Sequence, residues 1–169
     1  MPAIVRSEAT RHYGISIKRL IKTADTMLKL CGQASSELSV LLVSDQAMQA
    51  LNKQYRNKDR PTNVLSFPLR DADEAEDSMS PLGDIVISTD TAALEAQLHK
   101  IPVQARLNRL LVHGLIHLLG YDHERSDSEH TIMTNKENEL YEHLVQHERR
   151  RTMTHLAINV DHVATLRQA

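Results

Sequence analysis

Residues 110–124 read LLVHGLIHLLGYDHE, and three histidines fall within them at a spacing that suits a single metal ion. His113 and His117 are four apart in an apolar helical pattern, so both side chains leave the same face, one turn apart. Imidazole nitrogens so placed reach one ion at about 2.0–2.1 Å. Gly120 lacks a Cβ and takes the left-handed backbone that ends a helix and swings the chain back, which lets His123 return as a third ligand. Three protein ligands leave a fourth tetrahedral position for water, the catalytic rather than the closed structural form of a zinc site, and bound zinc brings that water's pKa close to neutrality. The competing view is an accidental cluster. It would leave imidazoles without partners on an otherwise apolar helix, at a desolvation cost. One zinc ion held by His113, His117 and His123 is therefore expected, although nickel or iron would also suit three imidazoles. Asp122 is placed either to orient a ligand or to serve the turn. His130, His143 and His147 read as surface residues of the next helix.

The spacing matches the His-x-x-x-His-x-x-Gly-x-x-His of metzincin-type metalloproteases, with one departure. Those enzymes carry a glutamate directly after the first histidine as general base, and here that position is Gly114. The metal geometry survives without the standard machinery of peptide hydrolysis, so a zinc peptidase or other metallohydrolase becomes the second reading.

The elements that must hold this segment follow from periodicity. Residues 3–8 predict a short strand. Ser16 opens a helix whose stripe runs Ile17, Leu20, Ile21, Ala24, Met27, Leu28 and Leu30, and Gly32 stops it. Residues 38–43 (LSVLLV) predict a buried strand. Ser44 and Asp45 cap a helix with Ala47, Met48, Leu51 and Tyr55 inside, and Pro61 follows it in a loop. Strands are expected at 64–67 and after Gly83-Asp84, separated by an acidic solvated loop at 70–80. Thr89 or Asp90 caps a helix to about Lys100, and Pro102 enters the first turn of the apolar histidine helix. A last helix spans about Ser126 to His147. Short strands with segregated helices indicate an α+β fold.

Length and composition bound the rest. A chain of 169 residues, 41% hydrophobic and 25% charged, suits one soluble domain with a core. A net charge of −2 means that any nucleic-acid surface must be a local patch. Lys58, Arg60, Arg106, Arg109 and Arg149 to Arg151 are the candidates for it. The single cysteine, Cys31, fits a reducing cytosol. No leader resembling a signal peptide and no bilayer-length apolar run is evident, so a cytoplasmic protein without a membrane partner is expected. Aromatic residues are 3% with no Trp, which argues for recognition of backbone and shape over base stacking.

Three blocks together resemble the YbeY family of bacterial rRNA maturation endoribonucleases: HGLIHLLGYDH, YRNKDRPTNVLSFP at 55–68, and PLGDIVIS at 81–88. The likeness covers roughly residues 35–145. Asn57 stands where the family commonly has glycine, and asparagine also tolerates the left-handed backbone. The resemblance implies a zincin-like domain over residues 1–150, with a mixed sheet of about four strands, surrounding helices and a zinc-binding central helix. It implies a zinc-dependent, single-strand-specific endoribonuclease acting on rRNA precursors and the ribosome, in maturation and quality control, with no DNA substrate expected. It also singles out Arg56, at the family's functional arginine position, as catalytic. A guanidinium there could grip phosphate bidentately, though from spacing alone Arg56 reads as a surface residue at a helix end. The attacking group, water or the ribose 2′-OH, stays open. So does a non-catalytic ribosome-assembly role with structural zinc. From Met153 the chain reads MTHLAINVDHVATLRQA, similar to the opening of pyridoxine 5′-phosphate synthase. Seventeen residues cannot form that barrel, so 151–169 is expected to be an extra tail, poorly packed and functionally silent.

Overall fold

The computed structural model describes residues 3–70, 81–121 and 127–166, with residues 127, 151–152 and 154–166 as backbone. The acidic stretch 71–80 lies outside the described residues. In chain order the elements are β1 (Ile4–Ser7), α1 (Ile17–Leu30), β2 (Glu37–Val43), α2 (Asp45–Arg56), β3 (Val64–Pro68), β4 (Pro81–Ser88), α3 (Thr89–Leu98), α4 (Val103–Leu118) and α5 (Asp127–Leu166). The four strands form one sheet in the order β1-β2-β4-β3. β1, β2 and β4 are parallel, and β3 runs antiparallel to β4. The α+β class and the four-stranded mixed sheet agree with expectation.

Strand alternation divides the core in two. Leu38, Val40 and Leu42 of β2 and Ile85 and Ile87 of β4 face a large cluster with Leu20, Ala24, Met27 and Leu28 of α1 and Leu107, Leu111 and Leu115 of α4. Val43, Leu65 and Val86 face the other way, onto Met48 of α2. The histidine helix therefore lies on the larger core, as its apolar sequence requires. Ser16 and Ser44 cap α1 and α2 through their hydroxyls, as expected. Tyr55, placed inside α2 by periodicity, is instead 59% exposed and packs edge-on against Phe67.

β4 begins at Pro81, four residues before the expected start, and three helix boundaries also differ from the sequence expectation. Ser88, not Thr89 or Asp90, caps α3, because β4 runs into the helix without a loop and its last residue takes the cap. Asp90 is used elsewhere: its carboxylate accepts from the Asp45 N–H (2.9 Å) and the Tyr13 hydroxyl (2.6 Å). Asp45 in turn accepts from the Ser88 and Thr91 hydroxyls, so the N-termini of α2 and α3 are joined. Pro102 is the N-cap residue of α4 rather than part of its first turn. The last helix does not end near His147. It continues to Leu166, 40 residues in all, and no glycine or proline lies between Glu148 and Leu166 to stop it.

Two expected outcomes follow. The Tyr13 hydrogen bond, then the Asp45 N–H, holds the Asp90 carboxyl below the usual carboxylate range. A depressed folded-state value contributes stability above the unfolded value, and that contribution is lost as pH falls through the folded value. Tyr13→Phe should thus melt lower than wild type at neutral pH, with the gap closing in acid; a gap that widens in acid contradicts this assignment. Met153, at the start of the tail, is 74% exposed. Removing residues 153–169 should leave the melting temperature nearly unchanged, and a loss of about 10 °C or more would make the tail part of the domain.

Candidate metal centre

α4 carries the site because it lies against the sheet by way of a glycine. A Cβ built on Gly114 would stand 2.9 Å from Ile85 Cγ2, 3.1 Å from Ile85 Cδ1 and 3.1 Å from Ser66 Oγ. The Ser66 hydroxyl donates to the Gly114 carbonyl at 3.1 Å, which ties β3 to the helix at the same point. The position that bears the metzincin glutamate is thus packed tightly against β3 and β4, and a side chain there would force Ile85 and Ser66 to shift. The residue present, glycine, supplies no base at the position where a peptidase of that type carries one.

The neighbouring positions project away from this contact. His113 and His117 lie one turn apart, their rings 4.7 Å between centroids and inclined at 75°. Their Nε2 atoms converge to 3.2 Å. Two imidazoles sharing a tetrahedral ion at about 2.0–2.1 Å place their nitrogens about 3.3 Å apart, so the pair already has the spacing that such an ion requires. The other nitrogen of His113, Nδ1, lies 3.1 Å from Glu137 Oε2 on α5.

The bend expected after the helix is present. Gly120 has φ +88°. Its N–H donates to the His117 carbonyl (3.0 Å) and the Tyr121 N–H donates to the Ile116 carbonyl (3.2 Å), the paired bonds of a Schellman motif. The chain is thereby turned back two residues before Asp122 and His123. Both of these lie outside the described residues, and among the described residues no group of three or more His, Cys, Asp or Glu side chains forms a metal-sized cluster.

Arg56 is the last residue of α2 and is exposed. Asn57 follows with φ +56°, the left-handed turn expected there. The loop is folded back on its helix: the buried Asn52 amide donates to the Arg60 carbonyl at 2.7 Å, and Lys53 pairs with Asp59 at 2.7 Å. Among the described residues, no hydrogen bond or ion pair engages the Arg56 guanidinium, and none joins it to the histidines. Of the expected basic patch, Lys58 and Arg60 are exposed on this loop. Arg106 and Arg109 are otherwise committed: Arg106 pairs with Glu95 (2.8 Å), which also accepts from Asn63, and Arg109 lies 4.1 Å over the Tyr141 ring. Arg151 lies outside the residues whose side chains are described. His130, His143 and His147 are exposed, as expected.

Sequence reasoning missed two features. One is Glu137, whose signal was an acidic residue standing in the apolar stripe of α5. The other is a cleft of about 490 Å³ over the α2 side of the sheet, where Tyr55 and Phe67 lie beside Arg6, Ser39 and Asp84; neither histidine lines it.

Comparison with known proteins bears on family and fold. The family model described as Endoribonuclease YbeY matches residues 5–145. The chain is 42% identical over 142 residues to the Endoribonuclease YbeY of Geobacter sulfurreducens, covering 83% of this chain and 94% of that protein. It is 47% identical over 137 residues to the protein of the same name from Anaeromyxobacter sp., covering 80% and 69%. The solution structure of TM1509 from Thermotoga maritima superposes with a TM-score of 0.60 at 26% identity, covering 88% of this chain and 93% of that one. The match reaches residue 5, well before the first recognisable block, and stops at 145, which leaves the synthase-like reading of the tail without support.

The packing at Gly114 generates a direct test. Gly114→Ala gains about 1 kcal/mol of helix propensity but overpacks Ile85 and Ser66 at a cost of about 1–3 kcal/mol. Urea denaturation should therefore show a net loss on the order of 1 kcal/mol, and a raised midpoint would mean that α4 does not lie this close to the sheet.

Proposed function

This chain belongs to the endoribonuclease YbeY family, and on that premise we propose that it cleaves single-stranded RNA at a zinc centre held by His113, His117 and His123. The observation that carries this reading is the convergence of two imidazole Nε2 atoms at 3.2 Å on one edge of α4. The bend at Gly120 supports the third ligand, since it returns the chain just before His123. When bound, the ion supplies Lewis acidity toward a phosphate oxygen at neutral pH.

The chain's own residues account for the rest. Arg56 binds the phosphate: its guanidinium is exposed and uncommitted, and a planar fork of donors matches two phosphate oxygens. Lys58 and Arg60 extend the positive charge along the same loop, a local patch on a chain of net charge −2. The substrates are rRNA precursors in the cytoplasm, read by backbone and shape, with roles in ribosome maturation and quality control. Peptide hydrolysis is disfavoured because Gly114, packed against Ile85 and Ser66, supplies no base where metzincins carry one.

Metal analysis and RNA cleavage, measured together, test the proposal. Wild type should carry about one zinc per chain and cleave single-stranded RNA, with activity abolished by chelator and restored by zinc. His117→Ala should lose both metal and cleavage. Arg56→Ala should keep its zinc and its melting temperature and lose about 10²-fold in cleavage rate, the scale of removing one donor to a developing oxyanion. Cleavage unaffected by chelator, or by His117→Ala, contradicts the zinc centre; full activity of Arg56→Ala contradicts the phosphate role.

A further inference from the structure

We propose that Glu137 is the positioning residue of the metal centre, holding the His113 ring so that its Nε2 lone pair faces the ion. The inference rests on the reading of His113 and His117 as ligands and adds a residue from a different helix. Its first support is the contact itself, Nδ1 of His113 at 3.1 Å from Glu137 Oε2. A carboxylate only accepts, so Nδ1 carries the hydrogen, and in the neutral ring Nε2 is left with its lone pair. That lone pair lies on the edge facing His117 Nε2, where an ion would sit. Metal-binding histidines are commonly oriented this way, through the nitrogen that does not bind the metal.

The second support is where Glu137 stands. Met133, Leu140 and Leu144 form the inner stripe of α5 and are each 2% exposed or less. Glu137 occupies the same stripe, four residues after Met133 and three before Leu140, with its side chain 26% exposed. Packing alone would favour an apolar residue there, since a carboxylate is costly to desolvate without a partner. Among the described residues, that partner is His113.

The third support is register. Arg109, one turn before His113 on α4, lies over Tyr141, one turn after Glu137 on α5. The two helices therefore run antiparallel, with two polar contacts on successive turns, and the cation–π contact fixes the level at which Glu137 meets the imidazole.

Competition with a calibrated chelator gives zinc affinity for wild type, Glu137→Leu and Glu137→Gln, and the melting temperature of each metal-free protein is read alongside. Glu137→Leu should bind zinc about 10- to 100-fold more weakly. Its metal-free form should melt at or above the wild-type temperature, because the stripe gains an apolar residue. Glu137→Gln, which retains an accepting oxygen without the charge, should fall between the two, and it carries the test if the leucine variant does not fold. Wild-type affinity in either variant overturns the positioning role, as does a lowered metal-free melting temperature with unchanged affinity. Those results are distinct from a wild type that binds no zinc, which overturns the metal-centre reading beneath the inference.

Discussion

The structure turns on the close approach of one helix to one sheet. α4 meets β3 and β4 at Gly114, where even a methyl group would press into Ile85 and Ser66. That contact fixes the roll of the helix about its axis. With Gly114 pinned inward and Leu107, Leu111 and Leu115 filling the core beside it, the edge bearing His113 and His117 is turned away from the sheet toward α5. A helix free to roll by one residue's rotation, about 100°, would part the imidazole pair from Glu137. The geometry of the histidine pair is thus a consequence of packing, and the glycine after the first histidine serves the close approach of helix and sheet.

Much of this was legible in the sequence because the signals were local. Two histidines at a spacing of four, an apolar helical stripe and a following glycine specify a shared face and a turn, and the structure contains both. Asn57 took the left-handed backbone for the reason that asparagine tolerates it. The strands at β2, β3 and β4 showed as compact apolar runs. What failed depended on distant partners or on competition between neighbours. Arg106 and Arg109 read as candidates for a basic patch, yet Glu95 and Tyr141 claim them. The Glu137 contact joins residues 24 positions apart, and its level is set by how α4 and α5 dock, which no local pattern encodes. Ser88 displaced two better-looking caps because the strand delivered it directly to the helix start. Residues 5–34 belong to the family match without a motif, and α1 gives Leu20, Ala24, Met27 and Leu28 to the core, apolar spacing that many sequences satisfy.

The family match and the described buried residues of α5 end together. The family match ends at residue 145, one position beyond Leu144, the last buried residue described on α5. The helix continues for more than twenty residues past that point. Backbone hydrogen bonding and the lack of any breaker are sufficient to propagate it, so helical continuation alone carries no functional weight. The residues proposed for chemistry lie instead in the second half of α4, after the turn at Gly120 and in the loop after α2, near Gly114, Gly120 and Asn57.

X-ray absorption at the zinc edge of the purified, zinc-loaded protein tests the central claim most directly, because it counts and identifies the atoms around the ion. The account predicts three imidazole nitrogens at about 2.0–2.1 Å and one light-atom oxygen ligand in a four-coordinate shell. A shell containing sulfur, one completed by four protein ligands, or one with fewer than three imidazoles would contradict it.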